Sequence, residues 1–396
     1  MSDVRPLPRR SIESPARDPR PGLSQILPDE LTAWAVAHGE PSYRARQIAE
    51  WHWRRYAASA AEMRTVPARL RAALDADVRV DTLLETVVSP ADRGLTEKAL
   101  HRLGDERLVE SVLMRYPGGV GCRARATVCI SSQVGCAVGC PFCATGELGF
   151  GRDLQPAEIV DQVRFWARRL VAEGGHVTNV VFMGMGEPLL NVEAVLAAAA
   201  ALTDPARFGL GGRHITISTS GVTPGIERLT ALAPSWTLAV SLHAARPALR
   251  DVLVPLNRRY PVEDVVAAAG AYAAATGRRV SYEYVMIDGI NDTTADATAV
   301  VRLLQGHPVH VNLIPMNPVA HTPWRPSAPG RIEAFAAVLR GAGIATTIRH
   351  NRGEEIGAAC GQLAAERAGM PAPDVVRRRR ERLEQEGAAA LAGRRP

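Results

Sequence analysis

The stretch Thr127-Val-Cys-Ile-Ser-Ser-Gln-Val-Gly-Cys136-Ala-Val-Gly-Cys140-Pro-Phe-Cys143 decides how the rest of the chain is read. It opens with β-branched residues that predict a strand over Thr127–Ser131 and ends with three cysteines packed into eight residues. CxxxCxxC supplies three thiolates to a four-iron cluster and no fourth, which leaves one iron open to a substrate or cofactor. Zinc is the alternative metal. A structural zinc site closes with four protein ligands, however, and the candidates for the fourth, Cys122 and Cys129, stand before or on the strand.

Outward from this loop the chain alternates strand and helix. Strands are predicted at Val177–Met183, His214–Thr219, Thr237–Leu242, Ser281–Ile287, Val309–Ile314 and Ala345–His350. Helical patterns fall between them, at Pro156–Ala172, Pro261–Thr276, Thr293–Gln305 and Gly330–Gly341. Short β-rich runs separated by such helices imply a parallel sheet with right-handed crossovers. The fold class is therefore α/β, a partial (β/α)6 barrel over residues 127–350. Functional groups are expected at the C-terminal strand ends, where Gly184, Ser218, Ser241 and Asn317 fall and where the cysteine loop places its metal.

The flanking regions differ in composition. Residues 1–24 are rich in Arg and Pro and are expected to be disordered, as is the Arg-rich tail over 371–396. Residues 25–95 read as a small helical domain, with 96–126 as a hairpin and linker. Within that domain, Tyr43, Trp51, Trp53 and Tyr56 interleave with Arg44, Arg46, Arg54 and Arg55, a pairing of stacking faces and cations suited to RNA. The competing reading is that Ile48, Trp51 and Tyr56 form the buried stripe of the domain.

A net charge of +6 suits a polyanionic partner, but Lys98 is the chain's single lysine, so the Arg abundance also reflects codon bias. Six cysteines, three in one loop, fit a reducing compartment rather than a disulfide framework. With no long apolar run and no signal-peptide pattern, a soluble cytoplasmic protein is expected, with no membrane association.

The second strand runs into Val181-Phe-Met-Gly-Met-Gly-Glu-Pro188, where glycines admit a ligand close to the backbone and Glu187 can accept from an ammonium group. Together, CxxxCxxC and this strand end resemble the radical S-adenosylmethionine (SAM) superfamily. Further motifs, Ser131-Ser-Gln-Val-Gly-Cys136, Ser218-Thr-Ser-Gly221, Ser241-Leu-His243, Asn312-Leu-Ile-Pro-Met-Asn317 and Arg352-Gly-Glu-Glu-Ile-Gly-Ala-Ala-Cys-Gly-Gln362, resemble the RlmN/Cfr family of RNA adenine methyltransferases over residues 26–368.

This resemblance implies one [4Fe-4S] cluster on Cys136, Cys140 and Cys143, and two molecules of SAM per turnover. It implies SAM contacts from Gly186, Glu187, Ser218, Ser241, Leu242, His243 and Asn317. Cys360, in the segment 351–370, reads as the start of a helical stretch after the last strand, where the helix N-terminus and nearby Arg352 would lower its thiol pKa, and the resemblance implies that it carries the methyl group. Cys129 would be the resolving thiol and Glu110 the base that removes the adenine C2 proton. The implied partners are 23S rRNA, tRNA and a flavodoxin-type reductant. The segment Tyr116–Ala126 is longer than the family pattern, and its Cys122 reads as an incidental loop thiol. Two rival functions use the same residues: methylation at adenine C8, and noncatalytic RNA binding stapled by zinc.

Overall fold

The computed structural model of the chain describes residues 18–119, 123–349 and 352–363. It begins with three helices, α1 (Pro28–Ala37), α2 (Tyr43–Trp53) and α3 (Ala68–Asp77). Pro28 suits the first turn of α1, where a missing N–H is harmless, and Glu30 accepts from the Leu27 N–H at 2.8 Å. Leu31, Ala35, Ile48, Met63, Leu70 and Leu74 close a small core of their own. Residues 18–24, expected in a disordered tail, instead dock here: Leu23 and Ser24 are buried, and the Leu23 N–H donates to the Arg79 carbonyl at 2.8 Å. Residues 1–17, the tail from Pro371 and Cys122 lie outside the described residues.

The aromatic and Arg residues of α2 divide between the two expected roles. Ile48 and Trp53 are buried, whereas Arg44 lies over Tyr43 and Arg55 over Trp51, at 4.8 and 4.5 Å. Arg54 serves neither role, since it donates to the carbonyls of Pro205 and Phe208 and so fastens the helical domain to the barrel.

The helical region ends earlier than the expected boundary at 95. Leu83–Ala91 is strand β1, formed by a run that includes the β-branched Thr86, Val87 and Val88. It pairs antiparallel with β2 (Thr96–Leu103), β2 with β3 (Leu108–Tyr116), and β3 with β4 (Arg125–Cys129). The expected hairpin and linker is thus the middle of a meander continuous with the barrel sheet.

After β4, a small hairpin of β5 (Gln133–Gly135) and β6 (Phe150–Asp153) encloses the cysteines and a short helix, α4 (Ala144–Leu148). The alternation then follows: α5 (Pro156–Ala172), β7 (Asn179–Phe182), α6 (Val192–Thr203), β8 (Ile215–Thr219), α7 (Thr223–Leu232), β9 (Thr237–Ser241). It continues through α8 (Pro247–Leu253), α9 (Val262–Thr276), β10 (Val280–Met286), α10 (Thr294–Leu304), β11 (Val309–Pro315), α11 (Pro329–Gly341) and β12 (Ala345–Ile348).

Among the described residues one ten-stranded sheet runs β1-β2-β3-β4-β7-β8-β9-β10-β11-β12, with parallel pairing from β4 onward. Met114, Thr127, Val181, Thr216, Thr237, Ser281 and Asn312, from seven of these strands, line one cavity, so the sheet curls around it as a partial (β/α)6 barrel. Strands β1 and β12 are its edges. Residues 352–363 span the seam, with the Gly353 N–H donating to Asp92 Oδ2 at 3.0 Å and Arg352 to the Arg115 carbonyl at 2.9 Å. No described helix is long and apolar enough to cross a membrane.

Helix α5 carries the principal joint between the two cores. Asp161 accepts from the Thr82 N–H and hydroxyl at 2.9 and 2.7 Å, from Arg164 at 2.8 Å, and from the Ser24 hydroxyl. Arg164, itself buried, donates onward to the Ala57 and His52 carbonyls at 2.7 and 3.2 Å. Removing one member of such a buried pair strands the other's charge. Asp161→Leu is therefore expected to destabilise the protein by about 3–5 kcal/mol, read as a lower urea midpoint; a midpoint equal to the parent's would refute this account of the joint.

Candidate active site

The cysteine loop leaves β4 at the C-terminal end of the barrel and returns through α4. Cys143 stands at the N-terminal end of α4, and its burial comes from the segment that follows β12: the Ala144 N–H donates to the Gly361 carbonyl at 2.7 Å and the Thr145 hydroxyl to the Leu363 carbonyl at 2.6 Å. Burial pushes all three loop thiols up, Cys136 to about 12, and the neighbouring cysteines push Cys140 higher still. Three half-buried thiols so arranged become thiolates most readily against a compensating positive charge, which an iron–sulfur cluster or another metal would supply. Among the described residues, no three Cys, His, Asp or Glu side chains are gathered for a single metal ion.

Beside this loop lies a cavity whose lining includes Cys143, Gly186, Glu187, Ser218, Ser241, His243, Asn317 and Cys360. Six of the seven expected SAM contacts are therefore brought together. The seventh, Leu242, is not: its side chain is wholly buried, its N–H donates to the Glu283 carbonyl at 2.9 Å, and its carbonyl accepts from Arg250 at 3.0 Å. It stands behind the cavity wall as a support.

Each lining group has a local cause. Gly186 has φ +99°, and a Cβ there would fall 2.5 Å from the Gln133 side chain, so only glycine lets the turn pass under the cysteine loop. Glu187 is buried, and its carboxylate accepts from the Leu189 and Ser220 N–H groups at 3.0 and 2.6 Å, clamping the ends of β7 and β8. Burial pushes its carboxyl up while those backbone bonds oppose the rise. The Thr219 and Ser220 side chains oppose it as well, so the carboxylate is held as a local negative charge in the cavity wall.

His243 has φ +57° and accepts from the Val285 N–H at Nδ1, 3.0 Å away, while its ring meets Phe142 of the cysteine loop edge-on at 4.9 Å. Burial, with Arg250 adding to it, holds its pKa down at about 3, so the ring is a neutral Nε2–H donor. Asn317 donates to the Cys360 carbonyl at 2.8 Å, and its buried Oδ1 has no hydrogen-bond partner among the described residues. An orphaned acceptor in this wall fits a cofactor that brings a donor, as the hydroxyls and amine of SAM would.

A second cavity joins the first through Met183, Ile314, Arg349 and Cys360, and it is also lined by Cys129. The two expected partners, Cys129 and Cys360, thus face one space. Burial and, after it, the charge of Cys360 push the Cys129 thiol up to about 12. The cation beside Cys360 is Arg349 at the end of β12, whose own pKa is raised chiefly by Cys360; Arg352 instead lies over Tyr116 at 4.3 Å. Nor does Cys360 begin a helix among the described residues, since the only regular element there is a single 3-10 turn at Glu354–Ile356. Glu110, on β3, is fully buried, with Oε1 3.0 Å from Lys98 Nζ.

Sequence reasoning missed Arg250. This buried residue donates to the carbonyls of Ser220, Ser241 and Leu242 and to Asn257 Oδ1, at 2.7, 3.1, 3.0 and 2.8 Å, and so ties the ends of β8 and β9 together beneath the cavity. Its only sequence signal is an Arg beside Asp251 in α8, a helix whose other residues are apolar.

Comparison with known proteins agrees with this geometry. Residues 130–300 match the model of the radical SAM superfamily, and residues 23–80 match that of the ribosomal RNA large subunit methyltransferase N-terminal domain. The chain is 48% identical over 374 residues to a probable dual-specificity RNA methyltransferase RlmN of Parafrankia sp. (strain EAN1pec), covering 90% of this chain and 94% of that one. A protein of the same description from Moorella thermoacetica is 47% identical, with 86% and 96% covered. The crystal structure of a radical SAM methyltransferase from Sphaerobacter thermophilus superposes with a TM-score of 0.83 at 46% identity, over 87% of this chain and all of that one. With both family models matched and relatives nearly half identical along almost their whole length, the chain belongs to the RlmN family of radical SAM RNA methyltransferases.

Proposed function

We propose that the chain methylates C2 of an adenosine in the peptidyl-transferase region of 23S rRNA and of an anticodon-adjacent adenosine in certain tRNAs. It would act in the cytoplasm with two SAM per turnover and electrons from a flavodoxin-type donor. The observation that carries this reading is that Cys129 and Cys360 line one space, which opens onto the wall expected to hold SAM. The relatives' description as dual-specificity RNA methyltransferases supports two kinds of RNA substrate. When bound, the cluster and SAM supply the methyl group and the radical that starts its transfer.

The chain's residues do the rest. Cys136, Cys140 and Cys143 hold the cluster, while Glu187, His243 and Asn317 offer polar groups to SAM. Cys360 would take the methyl at Sγ, give up one hydrogen atom of it to the SAM-derived radical and join the carbon to adenine C2, so that RNA is covalently held; the adduct's odd electron would return to the redox system that the cluster and donor supply as the C2 proton leaves. Glu110 then accepts the C2 proton. The Cys129 thiolate attacks Cys360 Sγ, a disulfide forms, and the electron pair of the broken S–C bond leaves with the RNA-borne carbon, which takes up a proton to become methyl. The donor reduces the disulfide.

Anaerobic purification should give a brown protein containing iron and sulfide, and RNA treated with it should contain 2-methyladenosine on nucleoside mass analysis. Stoichiometric zinc, or 8-methyladenosine, would overturn the proposal. Cys129→Ala is expected to accumulate RNA crosslinked to Cys360, visible as a retarded band after denaturation, whereas Cys360→Ala should yield neither crosslink nor product; product from the latter would remove the carrier role.

The raised pKa of Cys129 gives a pH dependence. Well below a pKa of about 12 the thiolate fraction rises about tenfold per pH unit, so release of RNA from the preformed adduct should speed up by about that factor per unit between pH 7 and 9. A flat profile would mean that the attacking thiol is not Cys129.

A further inference from the structure

Lys98 is the only lysine in a chain whose 47 basic residues are otherwise all Arg, and it sits at one of the most enclosed positions of the barrel. It is 5% exposed, and its Nζ lies 3.0 Å from Oε1 of the fully buried Glu110. The strand register fixes which way it faces. Lys98 is opposite Val112, which is opposite Cys129, so the three form one row across β2, β3 and β4. Glu110 is two residues along from Val112 and shares its face. The adjacent Glu97 points to the other side, where it pairs with Arg115 and with Arg169 of α5. The segment bearing Cys360 completes the enclosure: Gly357 has φ +61°, and a Cβ there would lie 3.6 Å from Lys98 Nζ.

Two physical arguments converge on this residue. A carboxylate this deeply buried needs a compensating cation. An ammonium is a compact point charge, whereas a guanidinium is a planar fork of five donors that needs more room and more acceptors than a wall closed by Gly357 offers. A chain that otherwise writes its basic residues as Arg keeps its one Lys where the smaller cation is required.

We propose that Lys98 is the positioning residue for Glu110 in methyl transfer, holding the carboxylate on the inner wall beside Cys129 and supplying the charge that keeps it there. This rests on the reading of Glu110 as the base. In the step concerned, the C2 proton of the RNA adduct passes to a Glu110 carboxylate oxygen, the C–H electron pair remains in the adduct, and Lys98 exchanges no proton with the RNA.

The test separates this role from a merely structural one. In Lys98→Met, RNA methylation should fall about 100-fold, the scale of a lost acid–base group. Methylation of Cys360 by SAM, read by protein mass spectrometry, should stay within about threefold of the parent, and crosslinked RNA should accumulate as in Cys129→Ala. Cys360 methylation falling in proportion to RNA methylation would overturn the proposal, as would full activity of Lys98→Met beside an inactive Glu110→Gln.

Should the single variant not fold, Lys98→Met in the Glu110→Gln background keeps the question open to test. It should add less than about threefold to the loss seen for Glu110→Gln alone, because residues acting through one another are not additive. A further loss comparable to the first counts against the proposal. A structural readout is independent of turnover: [13C]lysine labelling gives a single side-chain signal, which Glu110→Gln should shift, and an unmoved signal would show that the pair is not formed. If the parent makes no methylated RNA and Cys129→Ala makes no RNA adduct, the proposed function fails; if Glu110→Gln matches the parent, the base assignment fails and Lys98 is not implicated.

Discussion

The Asn317 amide bond to the Cys360 carbonyl, 2.8 Å long, is the contact on which the chemistry of this fold depends. It fixes an irregular segment to the end of β11, and the Ala144–Gly361 backbone bond fixes the other side of the same segment to the cysteine loop. Between these two anchors Cys360, the proposed carrier, faces the wall that would hold SAM and the space that contains Cys129. Neither anchor uses the Cys360 side chain, so the sulfur is left free to be modified.

The barrel provides the frame for this arrangement by an ordinary route. Strand ends gather at one face, and there the buried Glu187 and Arg250 replace loop-to-loop backbone pairing with side-chain bridges. Such polar ties are stiff because every unmade bond in a buried site is expensive. They hold three consecutive strand ends at a spacing that loops alone would not keep.

Much of this was legible in the sequence, and the exceptions have a common cause. The parallel strands and α5 fall within a few residues of their expected limits because β-branched runs and apolar helical periodicity are local signals. The paired cysteines and six of the SAM-wall residues were found through motifs. By contrast, β1 was read as helix because its faces bury unevenly and its identity comes from the neighbour it pairs with. Arg250, Arg349 and the Lys98–Glu110 pair were invisible for a related reason. Each is defined by a partner distant in the chain or by carbonyls that only the fold brings together, and an Arg in this Arg-rich sequence carries no mark of its own.

The seam between β1 and β12 has a mechanical consequence. Residues 352–363 cross it by isolated bonds to Asp92, Arg115, Asn317, Ala144 and Thr145, with no ladder joining them to either edge strand. Among the described residues, lifting them away would break those bonds, the Gln362 bond to the Pro318 carbonyl and the packing of Ala358 and Leu363 against the core, yet leave every strand pairing of the barrel intact. Under the proposed function, the Cys360 sulfur would ride on an arm separate from the barrel's strand ladder, and a bulky folded polymer could be admitted or discharged without the frame itself having to open.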